Sequence, residues 1–271
     1  MSRDIPNEMI IQSVGFGPEL TARKALDRAR EFLMGLEAVS PWHRPFDVSG
    51  MVAKHSNMAI SEDLSDFETV SMTALADADN VKYFNVNDLE NFDLDIDSKS
   101  YFGFRLSFSD LIQRRTRRDR VAINIKTQGM EAIENSKLPL HTELTSINVP
   151  SFRVGEANEI WGNLGTVISV LEYIINFSNP VHCCVYGSIQ DSKIPWNIDR
   201  GNYALGWITY TRNPHFIEAL SVDRRVTSFQ NGVLLTIGDD VEAIEDDSKL
   251  AEISKIRALL KSAGVKDWRE M

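Results

Sequence analysis

Asp93, Asp95 and Asp97 alternate with Phe92, Leu94 and Ile96 in the run FDLDID. In an extended strand successive side chains point to opposite faces, so this register sets three like charges in a row on one face and an apolar row on the other. Such a row could hold a cation or meet a positive surface. Strand residues two apart are separated by about 6.6 Å, too far to share one calcium ion, whose ligands lie about 2.3–2.6 Å away. The surrounding residues also lack the glycine of a calcium loop. The second use is therefore expected. Asp88 and Glu90 extend the row, and Asp239 and Asp240 open another acidic stretch that runs to Asp247.

The remaining chemistry-bearing residues do not assemble into a known reaction centre. His43, His55, His141, His182 and His215 are dispersed, with no pair at the four-residue spacing of a zinc hydrolase helix and no Cys at metal-ligand spacing. His182 precedes Cys183 and Cys184 in VHCCVYG, where both thiols are expected to act as small apolar residues of a buried strand. The sequence has no phosphate-cradling P-loop, no G-x-G-x-x-G after a strand and no G-x-S-x-G elbow. The GFG at Gly15 to Gly17 reads as a strand-to-helix turn. The expectation is no catalytic residue, no cofactor and no metal. The rival readings are an enzyme whose site is assembled from distant residues, with His43, His55 or His182 as base, and a regulatory binding module.

Composition bounds the class of partner. The 271 residues carry 39 acidic and 29 basic side chains, a formal net charge of -10. That balance argues against nucleic acid, whose binding needs Lys and Arg to neutralise phosphates, and favours a basic protein partner. Adjacent cysteines rarely close a disulfide, and no run approaches the roughly 18 apolar residues of a membrane span. Residues MSRDIPNEM lack the basic and apolar regions of a secretory signal. A cytoplasmic protein that does not enter the membrane is expected, with a second copy of the chain as a further candidate partner.

Helical periodicity appears three times. In PELTARKALDRAREFLMGLEAV, Ala22, Ala25, Leu26, Ala29, Leu33 and Leu36 recur every three or four residues. Leu164, Val167, Ile168, Leu171, Ile174 and Ile175 do so in NEIWGNLGTVISVLEYIINF, as do Leu250, Ile253, Ile256, Leu259 and Leu260 in DDSKLAEISKIRALLKSAG. Ser248 and Gly264 are the expected caps of the third helix. Strands are expected from Met9, Tyr101, Arg120, His182, Ala204 and Gly232, each opening a run rich in β-branched and aromatic residues. The order of elements repeats, and Gly103 aligns with Gly206. The predicted fold is α+β, with two similar halves, each an antiparallel sheet with packed helices: residues 1–139, carrying an acidic insertion at 61–97, and residues 140–271, with the terminal helix.

That insertion distinguishes the halves. From Glu62 to Asp97 it holds eleven carboxylates against one basic residue, Lys82, interleaved with Phe67, Tyr83, Phe84 and Phe92. A one-signed surface with aromatic anchors suits a basic cleft, because opposed potentials speed encounter and buried aromatics slow release. The expected partner-binding residues are Asp88, Glu90, Phe92, Asp93, Asp95, Asp97, Asp239 and Asp240. The arginines of QRRTRRDR, Arg114 to Arg120, are expected to pair locally.

The segments VLEYIINFSNP, VYGSI, YALGWITYT and NGVLLTIGDD, together with AREFLMGLEAVSPWHRPFDVSG near the start, resemble the immunity protein 52 family of bacterial polymorphic toxin systems. Gly206, Trp207 and Tyr210 in LGWITY carry the likeness most sharply and are expected to serve packing. The resemblance implies a protein that neutralises a cognate toxin, commonly a nuclease delivered by contact-dependent or type VI secretion. The immunity partner of a type VI DNase effector fits best. It brings no catalytic motif.

Overall fold

The computed structural model describes residues 8–16, 22–39, 47–49, 58–75, 103–109, 122–128, 142–150, 161, 163–187, 205–238 and 246–265. Along the chain the elements are β1 (Glu8–Phe16), α1 (Ala22–Val39), β2 (Asp47–Ser49), β3 (Met58–Ala59), α2 (Phe67–Leu75), β4 (Gly103–Ser109), β5 (Ala122–Gln128) and β6 (Thr142–Pro150). They continue with α3 (Leu164–Ser178), β7 (His182–Gly187), β8 (Ile208–Thr211), α4 (Pro214–Ala219), β9 (Val226–Phe229), β10 (Gly232–Thr236) and α5 (Asp247–Ser262). The fold is α+β. It divides into two compact units, Met1–Val14 with Asn148–Met271, and Gly15–Ile147.

In the unit that contains the C-terminal half, five antiparallel strands run in the order β1-β7-β8-β10-β9. Ser13 pairs with Cys183, Cys183 with Tyr210, Tyr210 with Leu234 and Leu234 with Thr227, so these five share one face. Every residue of β7 and β8 is buried, which explains why HCCVYG and ITYT lack a polar alternation. A strand covered on both faces has no side to give to water.

Covering both faces forces the polar groups of β8 to find partners inside. Thr209 Oγ1 accepts from Gly206 N at 2.9 Å, and Thr211 Oγ1 donates to Val181 O at 3.3 Å while accepting from Asn213 N at 3.1 Å. Gly206 approaches β7 so closely that an added Cβ would stand 2.0 Å from Val185 O. Trp207 is wholly buried, and its indole N–H reaches Gly238 O at 3.3 Å. Gly206, Trp207 and Tyr210 therefore sit in the packed core.

The helices of this unit are fixed at their ends by short polar side chains. Asn163 caps α3 by accepting from Gly165 N at 2.8 Å, and Asn179 closes it in the left-handed region at φ 45°. Arg212 then donates to Asn179 O and Pro180 O at 2.7 and 3.0 Å, binding the end of α3 to the strand after it. In α3 the buried residues are Val167, Val170, Leu171, Ile174 and Ile175. The α5 stripe is Leu250, Ile253, Ile256 and Leu260. Leu259, expected in that stripe, is 47% exposed; the buried residues step by three, three and then four, as a period of 3.6 requires, and a third successive step of three turns Leu259 out of the stripe and leaves Leu260 in it. Asp246, rather than Ser248, is the N-cap, accepting from Ser248 N at 2.7 Å.

The other unit holds strands in the order β3-β2-β4-β5-β6, with β3-β2, β2-β4 and β4-β5 antiparallel. On α1 the buried stripe is Ala25, Leu26, Ala29, Phe32, Leu33 and Leu36. Phe67, the first residue of α2, is buried and stacks on Phe108 of β4 with ring centroids 5.7 Å apart. Arg23 of α1 meets Glu68 of α2 at 3.0 Å, an exposed pair whose energy is small.

Candidate contact surface

The opening turn of the acidic insertion shows what its first carboxylates do. Leu64 adopts φ 57°, a left-handed conformation costly for a branched side chain, and the residues around it hold it there. Asp66 accepts from the N–H and the hydroxyl of Ser61 at 2.9 and 2.7 Å. Asp63 accepts from Ser65 N at 3.0 Å. Hydrogen bonds from the Ser65 hydroxyl and N–H draw the Asp63 carboxyl down to about 2, and the Ser61 hydroxyl and N–H draw Asp66 below the usual range. With Glu68 paired to Arg23, three of the first four carboxylates have structural work in shaping or joining α2. Phe67, read from sequence as one of the aromatics of a contact surface, is a core residue.

The row itself, Asp88, Glu90, Phe92, Asp93, Asp95 and Asp97, lies outside the described residues, as do Asp239, Asp240, Tyr83, Phe84 and the arginines from Arg114 to Arg120. The second acidic stretch is bounded by two described anchors. Before it, Gly238 takes φ 90° and its carbonyl accepts from Trp207. After it, Asp246 is committed to the start of α5, and the hydrogen bonds of Ser248 keep its carboxyl below the usual range.

Of the residues weighed for catalysis, His43, His55 and His141 lie outside the described residues. His182 is fully buried on β7, edge-on to Phe216 with centroids 6.5 Å apart. His215 is exposed at the start of α4. Cys183 and Cys184 are free thiols with no exposure, and burial pushes the Cys183 thiol up, away from the reactive thiolate. Among the described residues no group of three or more His, Cys, Asp or Glu is placed to hold a metal ion, and no helix is long and apolar enough to cross a membrane.

One charged assembly escaped the sequence reading. In the turn between α4 and β9, Arg225 donates to both oxygens of Asp223 at 2.9 and 2.6 Å and to Glu252 of α5 at 2.7 Å. Lys249 reaches the other Glu252 oxygen at 3.1 Å. The Arg225 hydrogen bonds lower the Asp223 pKa, and Asp223 in turn raises that of Arg225. In sequence, DRR offers no periodicity or motif to mark it. The partner residue Glu252 is 27 positions away.

No family model matches the chain, and no curated protein does so. Among solved structures it is similar to the Pseudomonas aeruginosa T6SS protein PA0821, with a TM-score of 0.53 at 10% sequence identity, over 96% of this chain and 77% of that one. At this identity the likeness is one of fold.

Proposed function

We propose that the chain is an immunity protein acting in a type VI secretion setting, a cytoplasmic binder that neutralises a cognate nuclease toxin by covering its basic substrate cleft. The observation that carries this reading is the one-signed insertion: eleven carboxylates against one lysine between Glu62 and Asp97. Asp63, Asp66 and Glu68 are engaged near α2, and the reading assigns the contact to the downstream row from Asp88 to Asp97, which lies outside the described residues. Fold-level likeness to a T6SS protein supports the setting, and the resemblance of LGWITY and its flanking segments to the immunity protein 52 family supports the role. In this reading the protein performs no bond chemistry. It takes no cofactor and binds neither nucleic acid nor membrane.

The mechanism is electrostatic capture followed by occlusion. Charges of opposite sign raise the encounter rate, and a carboxylate surface competes with phosphates for the same arginines and lysines of a nuclease. Co-expression with the product of the adjacent gene tests it. The reading expects a stable complex without nuclease activity, and activity recovered when the toxin is separated. Failure to form a complex, or turnover of a substrate by the isolated chain, would reject it.

A further inference from the structure

One margin of the five-stranded sheet carries an exposed arginine, Arg224, beside an open strand edge. β9 is the terminal strand in the order β1-β7-β8-β10-β9, and among the described residues it pairs with β10 alone. Its two-residue turn at Gln230 and Asn231 closes on the Phe229–Gly232 pair, so the antiparallel alternation points the N–H and C=O of Ser228 away from β10. Thr227 and Ser228 are exposed, and neither Pro nor an acidic residue occupies the strand.

The turn that leads into this edge is unusually well held. Ser221 N bonds Glu218 O, Asp223 N bonds Leu220 O and Val226 N bonds Asp223 O, at 3.3, 2.9 and 3.0 Å. Arg225 clamps Asp223 through its backbone N–H as well as its guanidinium, and ties the turn to Glu252. This frame holds Val222 out at 90% exposure beside Arg224, which is exposed and has no ion-pair partner among the described residues. An exposed apolar residue next to a cation, on a turn whose backbone is held and which leads directly into the edge strand, has little backbone left to order on binding.

We infer that the α4–β9 turn and the β9 edge form a second contact surface, which takes an extended acidic segment of a protein partner by strand addition. The segment's backbone pairs with Ser228, an apolar side chain covers Val222 and a carboxylate meets Arg224. The charge of Arg224 selects this occupant over a basic one. The inference does not rest on the acidic row and would stand if that row bound nothing.

The test uses the full chain and a random dodecapeptide library displayed on phage. Selected peptides are expected to carry Asp or Glu next to an apolar residue and to protect the Ser228 amide from hydrogen exchange. They should lose at least tenfold in affinity on Arg224→Glu and on Val222→Asp. Both positions are exposed, and thermal unfolding checks that the variants are folded. Ser228→Pro, which removes an outward N–H, is expected to weaken binding similarly. An unselected library, a basic consensus, or affinity unchanged in Arg224→Glu and Val222→Asp would overturn the inference.

Discussion

β8 and β9 stand in the same sheet, each four residues long and each a neighbour of β10, yet their side chains meet opposite demands. In β8 all four residues are buried, and two threonines pair off their hydroxyls inside. β9 keeps its two central residues exposed and half-buries the outer two. A central strand is specified by volume and internal hydrogen bonding, whereas an edge strand is specified by what it must avoid and what it can receive. Substitutions in β8 are therefore expected to act on folding, and those along β9 on association.

The sharpest challenge to that contrast is Gly206→Ala. Its Cβ would fall 2.0 Å from a backbone oxygen that cannot swing aside, so β7 and β8 must separate. A loss of about 4 kcal/mol or more is expected, at the extreme of single substitutions, read as a collapsed urea midpoint or an insoluble chain. A midpoint near that of the parent would mean that β8 is far less tightly seated than described.

Next is Thr209→Val, which preserves shape and removes the oxygen that accepts from Gly206 N. Leaving a buried N–H unsatisfied costs about 1–3 kcal/mol, and denaturant unfolding should show it. Tyr210→Phe sharpens the point in the other direction. The Tyr210 hydroxyl is buried and has no hydrogen-bond partner among the described residues, so deleting it is expected to change stability by less than about 0.5 kcal/mol. These two neighbours should differ clearly in the same assay.

Between those two in size comes Arg225→Ala, at the entrance to β9. The partners are partly exposed, so solvent screening holds the expected loss to about 1 kcal/mol. Its pH dependence is more telling. The folded-state pKa of Asp223 is lowered, so its contribution is complete above the unfolded value near 4 and fades as pH falls through the lower folded value. Arg225→Ala should flatten that part of the acid-unfolding profile while leaving stability at higher pH offset by a constant amount. An unchanged acid limb would show that Arg225 is not what holds Asp223.

The elements most legible in the sequence were those buried on a regular stripe. α1, α3 and α5 follow their apolar spacing, and β1, β4, β5, β7, β8 and β10 fall within runs of β-branched and aromatic residues. β9 was missed because VTSF is short and lacks the apolar alternation of a half-buried strand. α2 was hidden inside an acidic stretch whose charge drew attention from the buried Phe67 and Ser71. Asp246 displaced Ser248 as cap because both residue types suit the position and only backbone geometry separates them. For the site, composition gave an expectation of negative charge on residues that lie outside the described ones. It could not mark the carboxylates bound to their own turn, Asp63 and Asp66, because that depends on hydrogen bonds formed only after folding.

The proposed role of the acidic row is tested most directly by the association rate between the purified chain and the product of the adjacent gene, measured by stopped-flow mixing at low and physiological ionic strength. Replacing Asp93, Asp95 and Asp97 by Lys is expected to slow association at least tenfold at low salt and to remove most of its salt dependence. Equal rates for the parent and the triple variant at both ionic strengths would contradict the proposal that this row meets a basic cleft.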